Sequence, residues 1–131
     1  MNLSDLIYGF SRLTHVFELQ PSLRGVEIVS IKLNEYGNVT LLIDLKDFPS
    51  TPPDNWKKLG YETVYVRLGL SGVTKISVSG WTYGITGDLV VRQRSSHRII
   101  DFANGGNDFS FYCEADVVSL NEFMPFLRGE E

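Results

Sequence analysis

The residues best suited to do chemistry in this chain of 131 residues are one cysteine, two histidines and two closely spaced carboxylates. Glu114 and Asp116 are two positions apart, so both point to the same face of a strand. Paired carboxylates serve acid–base catalysis where a pocket separates their pKa values, and an exposed strand face provides no such pocket. His15 and His97 lack the spacing of metal ligands. We therefore predict no acid–base pair and no metal site.

The only cysteine, Cys113, excludes an internal disulfide framework and a zinc site built from cysteines. It alternates with Phe111 and Ala115, which places it on the apolar face of a predicted strand. A catalytic thiol needs a lowered pKa and a nearby base, so this pattern favours a buried, inert thiol. The chain also lacks a P-loop, a dinucleotide fingerprint and an HExxH motif. These observations predict a protein that is not an enzyme and needs no cofactor.

The net charge of −4, with a pI of about 5.1, argues against nucleic-acid binding, which needs a basic surface. The charge is also segregated along the chain. Residues 67–98 contain five basic residues and one acid, whereas residues 99–131 contain seven acids and one base. The acidic segment is either a solvated surface or a face that steers a basic protein partner. The basic cluster RQRSSHR, residues 92–98, fits a solvated hairpin tip better than a phosphate site.

The elements that must position these residues are mainly strands. Residues 2–13 have apolar positions at helical spacing and predict one amphipathic helix that packs on a sheet. Alternating runs then predict about seven strands, and NGGND at 104–108 predicts a turn. The strands are expected at 26–34, 38–46, 61–70, 73–81, 88–94, 98–103 and 109–120. We predict a single mostly-β (α+β) domain over 1–131, an antiparallel meander that is sandwich-like or curled.

The stretch FPSTPPDNW, residues 48–56, is the least regular part of the chain. Pro52 and Pro53 make it extended and stiff, and Pro53 is suited to an early position of a short helix. Trp56 then either plugs one end of the sheet or is exposed for recognition, and we favour the structural plug. We also expect Trp81 to be at least partly buried at the end of its strand.

Several spaced landmarks resemble the immunity protein 50 family, small bacterial proteins of polymorphic toxin systems. They are the run QPSLRGVEIVSIKLNEYGNVTLLIDL, the pair Pro52-Pro53, Trp56, and GYETVYVRL followed by LSGVTKISVSGW. The resemblance covers roughly residues 18–81. Relatives carry a histidine near position 24, where this chain has Leu23-Arg24-Gly25, so no role built on that histidine is transferred. The resemblance implies a non-enzymatic protein that binds and neutralises a cognate toxin domain, which we expect to be basic.

Two other functions remain open from the sequence: a small-molecule-binding or regulatory β-domain, and an enzyme whose site has no recognisable motif. No apolar run is long enough to span a membrane and no signal peptide is visible, so we expect a cytoplasmic protein with no membrane association. For a protein partner, the candidate face combines outward tyrosines with acids, since aromatic residues anchor interfaces and acids steer basic partners. Its predicted residues are Tyr61, Tyr65, Tyr112, Glu114 and Asp116.

Overall fold

The alternating runs form one sheet of eight antiparallel strands in the computed structural model, which describes residues 2–82, 84–103 and 109–127. The turn predicted at 104–108 and the C-terminal acids Glu130 and Glu131 lie outside the described residues. The strands are β1 Val26–Asn34, β2 Asn38–Asp44, β3 Thr63–Ser71, β4 Lys75–Ser79, β5 Thr86–Arg94, β6 His97–Ala103, β7 Ser110–Ala115 and β8 Val117–Phe126. The mostly-β prediction is confirmed, with one strand more than expected.

The strand order is β4-β7-β6-β5-β1-β2-β3-β8, and the sheet is not closed into a barrel. The predicted meander holds for β1–β2–β3 and for β5–β6–β7. It does not extend to β4, which pairs with β7, or to β8, which pairs with β3. We call β1, β2, β3 and β8 the first half-sheet, and β4, β7, β6 and β5 the second. Among the described residues, the two halves share two paired positions between β1 and β5, Val26 with Gly87 and Glu27 with Thr86.

The sheet bends where the chain crosses from one half to the other. The β3–β4 crossing passes through Gly72, whose φ is +66°, and the β7–β8 crossing passes through Asp116. The Asp116 amide donates to the Ser71 carbonyl at 2.9 Å, so the two crossings are joined. A Cβ at residue 72 would collide with the side chain of Asp116, and the positive φ also favours glycine there. This bend curls the sheet, as predicted.

A single hydrophobic core fills the inner side of both half-sheets. Alternating residues of β2 and β3 are buried as predicted, and so are those of β7. They are Val39, Leu41, Ile43, Leu45, Val64, Val66, Leu68, Leu70, Phe111, Cys113 and Ala115. The alternation therefore identifies the core-facing side correctly within these strands.

The predicted strand over 109–120 is two strands, because Asp116 and Val117 are both exposed and shift the alternation by one residue. After this shift Val118 and Leu120 face the core. The alternation of Phe111, Cys113 and Ala115 over 109–120 also predicts a buried Val117, which is instead 48% exposed. The prediction for Val117 is therefore wrong. A period-two pattern read across a bend assigns the wrong face to every residue beyond it.

The N-terminal segment is helical and packs on the sheet as expected, but it is two short helices rather than one. Helix α1 spans Leu3–Leu6 and a 3₁₀ helix spans Phe10–His15. Gly9 has a φ of +81°, which breaks the helix between them. At the break, Tyr8 pairs with Ser119 as a parallel bridge beside β8. Of the apolar positions that suggested the helix, Leu3 is half-buried and the others, including Ile7 and Phe10, are buried.

Candidate functional site

The outer side of the second half-sheet contains three of the five residues predicted for a binding face. Tyr112 and Glu114 alternate with the buried Phe111 and Cys113, so β7 directs them outward, and Asp116 follows at the bend. The Tyr112 hydroxyl donates a hydrogen bond of 2.6 Å to Glu114 Oε2. The two residues therefore form a fixed pair on the surface.

Basic side chains from neighbouring strands surround this pair. The Arg94 Nη2 atom lies 3.7 Å from Glu114 Oε2, and Lys75 is the cross-strand neighbour of Glu114 on β4. The Lys75 ammonium lies 5.7 Å from the centre of the Tyr112 ring. We call this surface the outer polar face, which consists of Lys75, Arg92, Arg94, His97, Asp101, Tyr112, Glu114 and Asp116.

Strand pairing brings the basic and acidic segments of the sequence together. The outer polar face contains a second ion pair besides that of Arg94 with Glu114. The distance between Arg92 Nη2 and Asp101 Oδ2 is 2.8 Å. On the same face, His97 Nδ1 lies at a distance of 3.1 Å from Asp116 Oδ1. On the first half-sheet, Arg67 Nε lies 2.6 Å from Glu122 Oε1. The acidic segment is thus not a uniformly negative surface, because each of its described acids faces a base or His97.

These contacts shift the pKa values of both members of the Tyr112–Glu114 pair. The hydrogen bond from Tyr112 lowers the pKa of Glu114, and the charges of Arg94, Lys75 and His97 lower it further, against an opposing effect of burial. The same hydrogen bond, together with burial and the Glu114 charge, raises the pKa of Tyr112. Glu114 is therefore kept ionised and Tyr112 neutral, which favours a fixed charge over proton transfer.

The two predicted residues from the β3 region do not join this surface. Tyr65 is only 2% exposed because its ring stacks on Phe126, with centroids 4.3 Å apart, so its place on an exposed face was a wrong prediction. Tyr61 is half-buried where α2, Asp54–Leu59, meets β3. β3 pairs with β2 and β8, whereas β7 pairs with β4 and β6.

Another polar cluster lies where the sequence pattern predicted solvent-facing side chains. Asp44 and Thr63 are both buried, and the Thr63 hydroxyl donates to Asp44 Oδ1 at 2.5 Å. The Lys46 ammonium lies 3.4 Å from Asp44 Oδ2 and 2.9 Å from Glu27 Oε1. Burial alone would lower the pKa of Lys46, but the hydrogen bond to Glu27 and the two negative charges raise it overall. This ion cluster joins β1, β2 and β3 and has a structural role.

The proline-rich stretch leads into helix α2 as predicted, with Pro53 at the N-terminal cap position. Pro52 and Pro53 are half-buried. Trp56 is also half-buried and packs against the core, with its ring centroid 5.9 Å from that of Phe48. These contacts are those expected of a structural residue.

Trp81 lies just beyond the end of β4 and remains 45% exposed. Its ring meets Phe109 edge to face, with centroids 5.5 Å apart. The side chain is thus covered on one side, which is the partial burial expected, and open to solvent on the other.

Cys113 is fully buried, and this burial raises its pKa to about 11. The described residues contain no group of three or more His, Cys, Asp or Glu side chains that could bind a metal ion. Within the same part of the chain, no helix has the length and apolar character needed to cross a membrane.

Comparison with known protein families shows what this chain is related to. The model of the immunity protein 50 family matches residues 9–126, which include all eight strands and the outer polar face. The chain belongs to the immunity protein 50 family. This confirms the resemblance and extends it from residues 18–81 to most of the chain. Searches of curated proteins and of solved structures found no match.

Sequence reasoning missed the basic half of the outer polar face in this family member. Arg92 and Arg94 were interpreted as part of a solvated hairpin tip, and Lys75 was given no role. The available signal was the basic segment placed one hairpin before the acidic segment, because antiparallel pairing puts such segments side by side. The exact pairs depend on strand register, which the alternation alone does not determine.

Proposed function

We propose that the protein is an immunity protein that binds and neutralises a cognate toxin domain and performs no catalysis itself. The observation that carries this proposal is the match of the immunity protein 50 family over residues 9–126. Neutralisation by binding needs a specific surface on a stable scaffold, and a curled sheet with one continuous core provides such a scaffold.

The groups that could do chemistry support a non-catalytic role. Cys113 is buried and its thiol has a pKa of about 11, so it is protonated at neutral pH. Glu114 has a lowered pKa, whereas a general acid at neutral pH needs a raised one. The interior of the curled sheet, where a small-molecule-binding domain would hold a ligand, is occupied by core side chains.

The outer polar face is our candidate surface for the toxin. Tyr112 offers an aromatic ring held by Glu114, and aromatic residues are enriched at protein interfaces. Charges of both signs fix the register of a partner, and the overall charge of −4 favours a basic one. Charges of this kind influence the association rate more strongly than the final affinity.

The test uses the toxin domain encoded beside this gene and measures its association rate by stopped flow. A variant with Glu114→Gln and Asp116→Asn loses two charges but keeps the hydrogen-bond acceptors. We expect its association to be about three- to tenfold slower in low salt, with the difference shrinking as ionic strength rises. The control, Glu18→Gln with Glu62→Gln, removes two charges from exposed positions outside the outer polar face.

The control separates a local effect from one of net charge. Slower association of both variants to the same extent would remove the outer polar face as the binding surface. A toxin domain that does not bind the wild-type protein would contradict the proposed function itself.

A further inference from the structure

A second surface lies where the curled sheet remains open, between β1 and β4. β1 pairs with β2 along its length but with β5 only at Val26 and Glu27. Among the described residues, none forms a ladder with residues 28–34 on that side. In the same part of the chain, β4 pairs with β7 alone, so its other edge is also open. Two strand edges thus carry backbone groups without ladder partners.

The open edges of β1 and β4 run side by side in opposite directions. Near the β1–β2 turn, Leu33 and Asn34 line one recess together with Val73–Ile76, which includes the start of β4. Further along, residues of β1 line a groove of about 500 Å³ together with Val78 and Trp81, at and beyond the end of β4. The groove, which we call the edge groove, is lined by Val29, Ser30, Ile31, Leu33, Val78 and Trp81.

The edge groove is apolar and unusually exposed. Leu33 is 67% exposed, Val78 is 41% exposed, and Trp81 is held on one side only by its contact with Phe109. A contiguous cluster of large apolar side chains on a protein surface is typical of an interaction site. Open strand edges are usually shielded as well, since they otherwise pair with other chains. The edge groove therefore combines two features that bind protein segments.

We infer that the edge groove binds an extended segment of the toxin as an added β-strand along residues 28–34. This inference rests on the proposed function and specifies a binding site for it. Unpaired backbone groups along a strand edge are satisfied by an extended chain, whereas a helix has no free groups to offer. Alternate apolar side chains of the segment would contact Leu33, Val78 and Trp81. A second copy is disfavoured as occupant because two chains of net charge −4 repel each other.

Backbone hydrogen exchange tests the inference directly, with a catalytically inactive form of the adjacent toxin domain as the probe. Strand addition creates hydrogen bonds for outward-facing amides of residues 28–34. We expect several of these amides to exchange with solvent at least about tenfold more slowly in the complex than in the free protein. Full-length wild-type protein is used, so the result does not depend on any variant folding.

A substitution tests the side-chain contacts. Leu33→Asp places a charge in the edge groove, and we expect it to weaken toxin binding at least about tenfold. Leu59→Asp is the matched control, because Leu59 is 58% exposed on α2 outside the groove. Circular dichroism melts show whether both variants fold. If Leu33→Asp does not fold, the exchange experiment on wild-type protein alone tests the inference.

The outcomes separate this inference from the proposed function. Toxin binding without protection of residues 28–34, and with equal affinity for Leu33→Asp, overturns the edge groove and leaves the proposed function standing. Absence of toxin binding overturns both. Protection that appears without toxin and grows with protein concentration assigns the groove to a second copy and overturns our inference.

Discussion

At the residue scale, the pair formed by Tyr112 and Glu114 is the clearest feature of the outer polar face. The outward direction of both side chains follows from alternation with Phe111 and Cys113 and was predicted from the sequence. Their hydrogen bond of 2.6 Å was not predicted, because residues two apart on one strand can also point their polar ends away from each other. The contact of Arg94 with Glu114 depends on the pairing of three strands, which one sequence does not specify.

The lowered pKa of Glu114 predicts a pH-dependent contribution to stability. A carboxyl group with a folded pKa below its unfolded value of about 4.3 stabilises the fold above that value. The stabilisation is lost as pH falls through the lower, folded pKa. We therefore expect Glu114→Gln to lower the free energy of unfolding at pH 7, with a difference from wild type that shrinks below about pH 4.

Urea unfolding at pH 7, 5 and 3 measures this difference. Glu62→Gln is the control, at an exposed glutamate outside the outer polar face. A difference between wild type and Glu114→Gln that stays constant over this range would contradict the assigned role of the Glu114 charge.

At the element scale, the strands were more predictable than the segments that join them. The bounds of β1 match the prediction, and the core-facing side of β2 and β3 is correct. Alternation did not predict that Asp44, Thr63 and Tyr65 on the other side are buried as well. The predicted N-terminal helix is interrupted at Gly9. The prediction missed this break because it used only the spacing of apolar residues. The split at Asp116 was missed because a bend between two consecutive strands in different half-sheets leaves no turn signature in the sequence.

Helix α2 gives a prediction about the role of Trp56. Its ring is half-buried against the core and Phe48, so its removal leaves a partial cavity. We expect Trp56→Ala to lower the free energy of unfolding by about 2–3 kcal/mol, below the ~3–5 kcal/mol typical of a fully buried tryptophan. Thermal and urea melts measure this cost. The control on the same helix is Leu59→Ala, which we expect to stay within about 0.5 kcal/mol of wild type.

The opposite pattern would identify Trp56 as a recognition residue instead. In that case the melts of Trp56→Ala would match those of wild type, whereas binding to the toxin domain would be lost.

At the scale of the whole molecule, charges that are segregated along the sequence become neighbours in the fold. The sequence shows a basic segment followed by an acidic one, and the curled sheet places them beside each other in cross-strand pairs. Local acidity was therefore overestimated, while the net charge of −4 applies to the molecule as a whole. Mostly-β class and family were predictable because they depend on alternation and on spaced landmarks. The open edges of β1 and β4 were not, since they result from long-range strand order.

The whole fold offers two surfaces with complementary roles in the proposed function. We propose that the fixed charges of the outer polar face steer the partner, and that the apolar side chains and open strand edges of the edge groove hold it. Steering acts on the association rate, whereas apolar contacts act mainly on dissociation.

The central claim is that this protein neutralises a toxin domain by binding it. The most direct measurement titrates the activity of the purified toxin domain encoded beside the gene with the wild-type protein. We predict that activity falls linearly and is abolished at a fixed molar ratio, because inhibition by tight binding follows stoichiometry. Full toxin activity in the presence of a large molar excess of the protein would contradict the account.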